Sequence, residues 1–77
     1  MALAALAWVV GDERRAQRLL GLTGLDADAL RMGLHDPAVL GAVLDFLLAN
    51  EADLLAAADD LGIPPQELAR ARSELAR

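Results

Sequence analysis

The chain has no cysteine and a single histidine, His35. Without thiols there is no disulfide framework and no thiolate metal site, and one imidazole cannot make a multi-histidine site, so zinc modules are excluded. Tyrosine is absent, and the aromatics, Trp8 and Phe46, come to 3%. A core must then be built from Leu and Ala, strong helix formers and weak strand formers, which argues against an all-β fold. Lysine is absent too: all seven basic residues are arginine, against twelve acids, for a net charge of −5. That balance disfavours nucleic acid as a partner, because phosphate binding depends on clustered cations. A membrane-spanning run is also missing. The opening Met1 to Val10 is apolar but lacks a basic leader and falls well short of the ~20 residues that cross a bilayer. It is expected to be a core helix of a cytoplasmic protein rather than a signal peptide.

What is there is apolar material: 56% of the 77 residues, against roughly 45–50% in ordinary globular chains. Disorder is therefore not expected, and the length fits one domain, residues 1–77. Helix stops and starts punctuate the chain at Gly11-Asp12, Gly21 to Gly24, Asp26, Asp36-Pro37, Asn50 and Gly62-Ile63-Pro64-Pro65. They predict six short helices. The first spans about Ala2 to Val10; the second is capped by Asp12, runs from Glu13 to Leu20 and stops in the Gly21/Gly24 turn. The third follows the Asp26 cap and runs to about His35. Asp36 then caps a fourth with Pro37 at its first position, where a missing N–H does no harm. Asn50 caps the fifth, which ends at Gly62, and the sixth begins at Pro64-Pro65. The predicted fold is an all-α, compact orthogonal bundle of five to six short helices.

The fourth helix, Pro37 to Ala49, places Leu40, Val43, Leu44, Leu47 and Leu48 on one face, with Val39 and Phe46 flanking it. Such a helix is central. Its other face carries Ala38, Gly41, Ala42, Asp45 and Ala49, small groups around a single charge that let another backbone come close. Helix one or five of the same chain is the first expectation for the cover, and a homodimer seam the second.

Charge is uneven along the chain. Residues 1–35 are balanced, residues 36–60 carry six acids and no base, and residues 61–77 carry two acids and three arginines. The acidic block suits a basic partner, although four of its six carboxylates fall at helix ends or turns and a solvated face is the plainer reading. In helix two, Arg14 and Arg18 share a face at i, i+4 beside Arg15, and could grip an acidic protein, a lipid head group or phosphate; a solvated face balanced by Asp12 and Glu13 is the plainer reading. Trp8 is expected to supply core bulk, or else to anchor a partner.

The sharpest motif is a helix-turn-helix over residues 54–77. Ala58, Leu61-Gly62-Ile63 and Leu68 have the spacing at which such a pair packs. Its chemistry is poor for DNA: Glu67 stands where base and phosphate contacts are made, only Arg70 and Arg72 help, and the acidic block precedes it. A packed helix corner explains the same residues. In the sixth helix Glu67, Arg70, Glu74 and Arg77 are spaced for ion pairs on a solvated face.

Catalysis finds no support. His35 next to Asp36 has no nucleophile or second ligand beside it in sequence and reads as a helix-end residue that suits the dipole. Asp26-Ala27-Asp28 lacks the glycine and glutamate of a calcium loop, and Ser73 and Thr23 lack a local base. No cofactor and no metal are expected.

The run Ala4-Ala5-Leu6-Ala7-Trp8, then Leu22-Thr23-Gly24-Leu25, Asp36-Pro37, Val43-Leu44-Asp45-Phe46-Leu47-Leu48, Leu61-Gly62 and Pro65-Gln66-Glu67, resembles a family of small helical alphaproteobacterial proteins, domain of unknown function 3572. The resemblance spans nearly the whole chain. It implies a compact all-α domain and carries over no catalytic or binding residues; it also implies a longer acidic N-terminal stretch in many members, which this chain lacks. A mean hydropathy of +0.34 is high for so small a chain, and six short helices cannot hide every Leu and Ala. The expected function is a non-enzymatic protein–protein interaction or adaptor module, with an unidentified protein or a second copy as partner. Its candidate contacts are Trp8, Arg14, Arg15, Arg18, Ala38, Gly41, Ala42, Asp45 and Ala49. The alternative is a DNA-binding module using Arg70 and Arg72.

Overall fold

The computed structural model describes residues 2–75, apart from the side chain of residue 27. Six helices follow one another: α1 (Ala2–Val10), α2 (Glu13–Thr23), α3 (Ala27–Met32), α4 (Pro37–Leu48), α5 (Glu51–Leu61) and α6 (Pro65–Leu75). The described residues are all-α, as the Leu/Ala composition requires.

Each predicted cap is made. Asp12 accepts from the Arg14 and Arg15 amides, Asp26 from Ala29, Asp36 from Ala38 and Asn50 from Asp53. These bonds satisfy amide groups that the first turn of a helix leaves without partners, each contributing about 1 kcal/mol. At the other ends, Gly24 and Gly62 take left-handed backbone angles, φ 73° and 70°. At Gly62 this lets the Ile63 amide reach back to the Ala58 carbonyl at 3.0 Å, a Schellman closure that turns the chain sharply into α6.

Two boundaries differ from expectation. α2 passes through Gly21 and stops at Gly24, because a glycine inside a helix costs only about 1 kcal/mol while Thr23 Oγ1 donates to the Leu19 carbonyl at 2.7 Å and continues the turn. α3 stops at Met32, where the Gly33 amide donates to the Ala29 carbonyl. His35 is thus an exposed turn residue between α3 and α4, not the last residue of a helix.

α4 is the centre. It packs most extensively against α1 and α6, then against α5 and α2. Leu19, Leu44, Leu47, Leu68, Val9 and Val43 are fully buried, joined by Ala5, Leu6, Phe46, Ala57 and Ala58. The radius of gyration is 11.2 Å, close to the ~11.5 Å of a compact chain this long. α3 stands apart: among its described side chains, only Leu30 belongs to the buried core.

Candidate functional site

Where α3 leans on α1 and α2, the packing leaves a cleft of about 330 Å³ open to solvent. Leu6, Val10, Ala16, Leu20, Leu30 and Leu34 line it, with Arg31 as the single polar residue among the described ones. Such a lining is what a binding cleft presents: apolar walls and one charge placed to orient what enters. The cleft exists because α3 is six residues long and offers one inward leucine, too little to fill the space between two longer helices. Half-exposed Val10 and Leu34 extend its apolar rim.

The arginines of α2 lie on the far side of that helix. Arg15 stacks on Trp8, with its guanidinium carbon 3.7 Å from the ring centroid, and lies 3.7 Å from Asp12. Trp8 is half-buried rather than central to the core, and its Nε1 donates to Asp60 Oδ2 at 2.7 Å, so one side chain ties α1, α2 and α5 together. Arg18 donates to Asp53 Oδ1 at 3.1 Å; the buried Asp53 Oδ2 has no hydrogen bond of its own and is neutralised by the same guanidinium, 3.0 Å away. Arg14 lends its amide to the Asp12 cap, and its side chain is exposed. The amides of Arg15 and Arg14, led by Arg15, hold the Asp12 carboxyl below the usual aspartate range, helped by the nearby guanidinium charges.

The small-residue face of α4 is divided. At Gly41 the guanidinium of Arg72 lies where a side chain would stand: a Cβ there would meet Arg72 Cζ at 3.2 Å. Arg72 Nε donates to Asp45 Oδ1 at 2.8 Å, and this bond raises the guanidinium pKa. The cover at Gly41 therefore comes from α6, not from helix one or five, because Arg72 is long enough to span the gap and finds a carboxylate there. Ala38 and Ala42 line a shallow hollow of about 150 Å³ with Thr23, Leu25 and Val39, while Ala49 is exposed beyond the end of α4. Arg70 sits between Glu67 and Glu74, at 3.8 and 3.6 Å. The pairing expected for Arg77 lies outside the described residues.

Three of the six acids in residues 36–60 thus already face a donor from another part of the chain: Asp45, Asp53 and Asp60. Much of the acidic block is spent holding the bundle together. Local spacing could not show this, since the partners are 27 to 52 residues apart.

The whole chain, residues 1–77, matches the family described as Protein of unknown function (DUF3572). The chain belongs to that family. No curated protein and no solved structure matches it. In this DUF3572 domain, the described residues contain no group of three metal-ligating side chains, and no helix among them is long and apolar enough to cross a membrane. The arrangement offers apolar contact and a single cation at the cleft, which is chemistry for holding a ligand.

Proposed function

We propose that this DUF3572 domain is a non-enzymatic protein-interaction module of the cytoplasm whose working surface is the α1/α2/α3 cleft. The observation that supports it is the cleft itself: about 330 Å³ of apolar-lined space on a domain otherwise packed through α4. A concave apolar lining with one charged group beside it is what a contact surface presents. The interior position of Ala5, Leu6 and Val9 supports the reading of α1 as a working part of the domain. The polar candidates contribute differently. Trp8, Arg15, Arg18, Asp45 and Arg72 hold the bundle, which leaves Arg14 and the cleft-lining Arg31 as the cations of α2 and α3 that, among the described residues, pair with no other helix and suit an acidic group on a partner.

The test is affinity co-purification of the tagged chain at native level from its host, after nuclease treatment, in parallel with Ala16→Trp. Ala16 lines the cleft, so tryptophan fills it while leaving the α4 core alone. A protein held stoichiometrically by the wild-type chain and lost from the folded variant is the expected result. Equal recovery with both chains would contradict the cleft as the working surface, and recovery of chromatin proteins alone, lost on nuclease treatment, would favour the nucleic-acid alternative.

A further inference from the structure

α2 has a thin apolar hold on the domain. Among the described residues, only Leu19 of α2 and Leu30 of α3 belong to the buried core, whereas α1, α4, α5 and α6 supply the rest of it. Polar contacts make up the difference. Arg15 and Arg18 stand at i and i+3, on one face of α2, and between them reach three other helices. The Arg15 guanidinium lies over the Trp8 ring of α1 and donates to the Trp8 carbonyl at 3.4 Å. That of Arg18 lies 5.6 Å from the centroid of the Phe46 ring in α4, within cation–π range, and pairs with Asp53 of α5 at 3.0 Å.

Asp53 decides how that hold behaves. Its side chain is 13% exposed, and its Oδ2, buried without a hydrogen bond, is neutralised among the described residues by Arg18 alone. Withdrawing the cation while the oxygen stays buried is costly, because a carboxylate is then left out of water with no opposite charge beside it. Once α2 moves far enough for water to enter, that cost disappears. The pair therefore opposes small displacements of α2 strongly and large ones hardly at all, which is the behaviour of a latch.

We infer that α2 and α3 form an arm that opens away from α1, α4 and α5, and that the Arg18–Asp53 pair latches it shut. Ala16 and Leu20 of α2, with Leu30 and Leu34 after them, form one wall of the cleft, and Leu6 and Val10 of α1 form the other. Because α1 packs most extensively on α4, it stays with the core when the arm leaves, and the two walls part. The domain then opens in tiers: α3 first, α2 with its one fully buried leucine next, and the core of α1, α4, α5 and α6 only on global unfolding. The inference concerns how the cleft opens and stands whatever the cleft holds.

Native-state hydrogen exchange of the full chain at increasing urea tests it, with circular dichroism to confirm that each variant is folded. The Leu19 and Leu20 amides should exchange through an opening more populated than global unfolding, with a shallower urea dependence than the Leu44 and Leu47 amides because less surface is exposed. Leu68→Val alters α6, which packs on α1, α4 and α5; it should speed the core amides and leave Leu19 and Leu20 unchanged, since the open form keeps that packing. Arg18→Gln should speed Leu19 and Leu20 by about tenfold, less than for a fully buried pair because half-exposed Arg18 is screened by solvent. Adding Asp53→Asn should recover part of that change, because no charge is then left buried. If Leu19 and Leu20 follow Leu44 and Leu47 in urea and in Leu68→Val, there is no arm; if they open separately but ignore Arg18→Gln, there is no latch. Either result overturns the inference, and neither touches the cleft reading, which Ala16→Trp tests on its own.

Discussion

The packing around α4 and the packing around α3 differ. Around α4, side chains of α1, α2, α5 and α6 interdigitate until Val9, Leu19, Val43, Leu44, Leu47 and Leu68 are fully buried. Between α3 and the α1/α2 pair, Leu30 reaches inward, and an apolar cleft stays open beside it. Close packing accounts for stability and leaves no room for a ligand, whereas incomplete packing sacrifices stability and leaves a surface. In this domain the two demands fall on different helices.

The comparison is broken most directly by leucine truncation on each side. Leu47→Ala should cost about 2–5 kcal/mol, a large share of the roughly 4–12 kcal/mol expected for a chain this size, and urea denaturation should show it. Leu30→Ala should cost about 2 kcal/mol or less, because the lining around it already borders open space and can collapse. Equal costs would mean that α3 is as firmly packed as α4.

Trp8→Phe sharpens the comparison on the polar side. It removes the Nε1 bond to Asp60 and keeps most of the ring, so a loss of about 1 kcal/mol in the same denaturation experiment is expected. A null effect would show that the tie between α1 and α5 is ornamental.

The smallest effect concerns pH. The Arg15 and Arg14 amides depress the Asp12 pKa in the folded chain, so the cap's ionic contribution is fully present above the unfolded value and is lost as pH falls through the folded one. Asn also caps well. Asp12→Asn should therefore be slightly less stable than wild type near neutrality, and the gap in melting temperature should close at strongly acidic pH. A gap that widens on acidification would contradict the sign.

The helices were legible because their signals are local. Asp36-Pro37, Asn50 and Gly62 each state a boundary within a few residues, and the leucine spacing of α4 marks it as central. The misplaced boundaries are also instructive: Gly21 reads as a stop, yet the real one is Gly24, whose left-handed backbone ends the helix. The site was far less legible. Leu6, Val10, Ala16, Leu20, Leu30 and Leu34 come from three helices and a turn, and none is unusual alone. The shortness of α3 was hidden too, since the sequence carries that helix on to about His35 while the structure ends it at Met32. The Arg72–Asp45 and Trp8–Asp60 pairs were hidden for a different reason: long-range pairing leaves no periodicity in a sequence.

Residue-resolved hydrogen exchange under native conditions tests the division between packed and open sides most directly. The Leu30 amide, bonded to the Asp26 carbonyl at 3.1 Å, should exchange through a local opening far less costly than global unfolding, while the Leu44 and Leu47 amides should exchange only when the whole domain unfolds. The same opening free energy at all three amides would contradict the account, because α3 would then be part of one cooperative core.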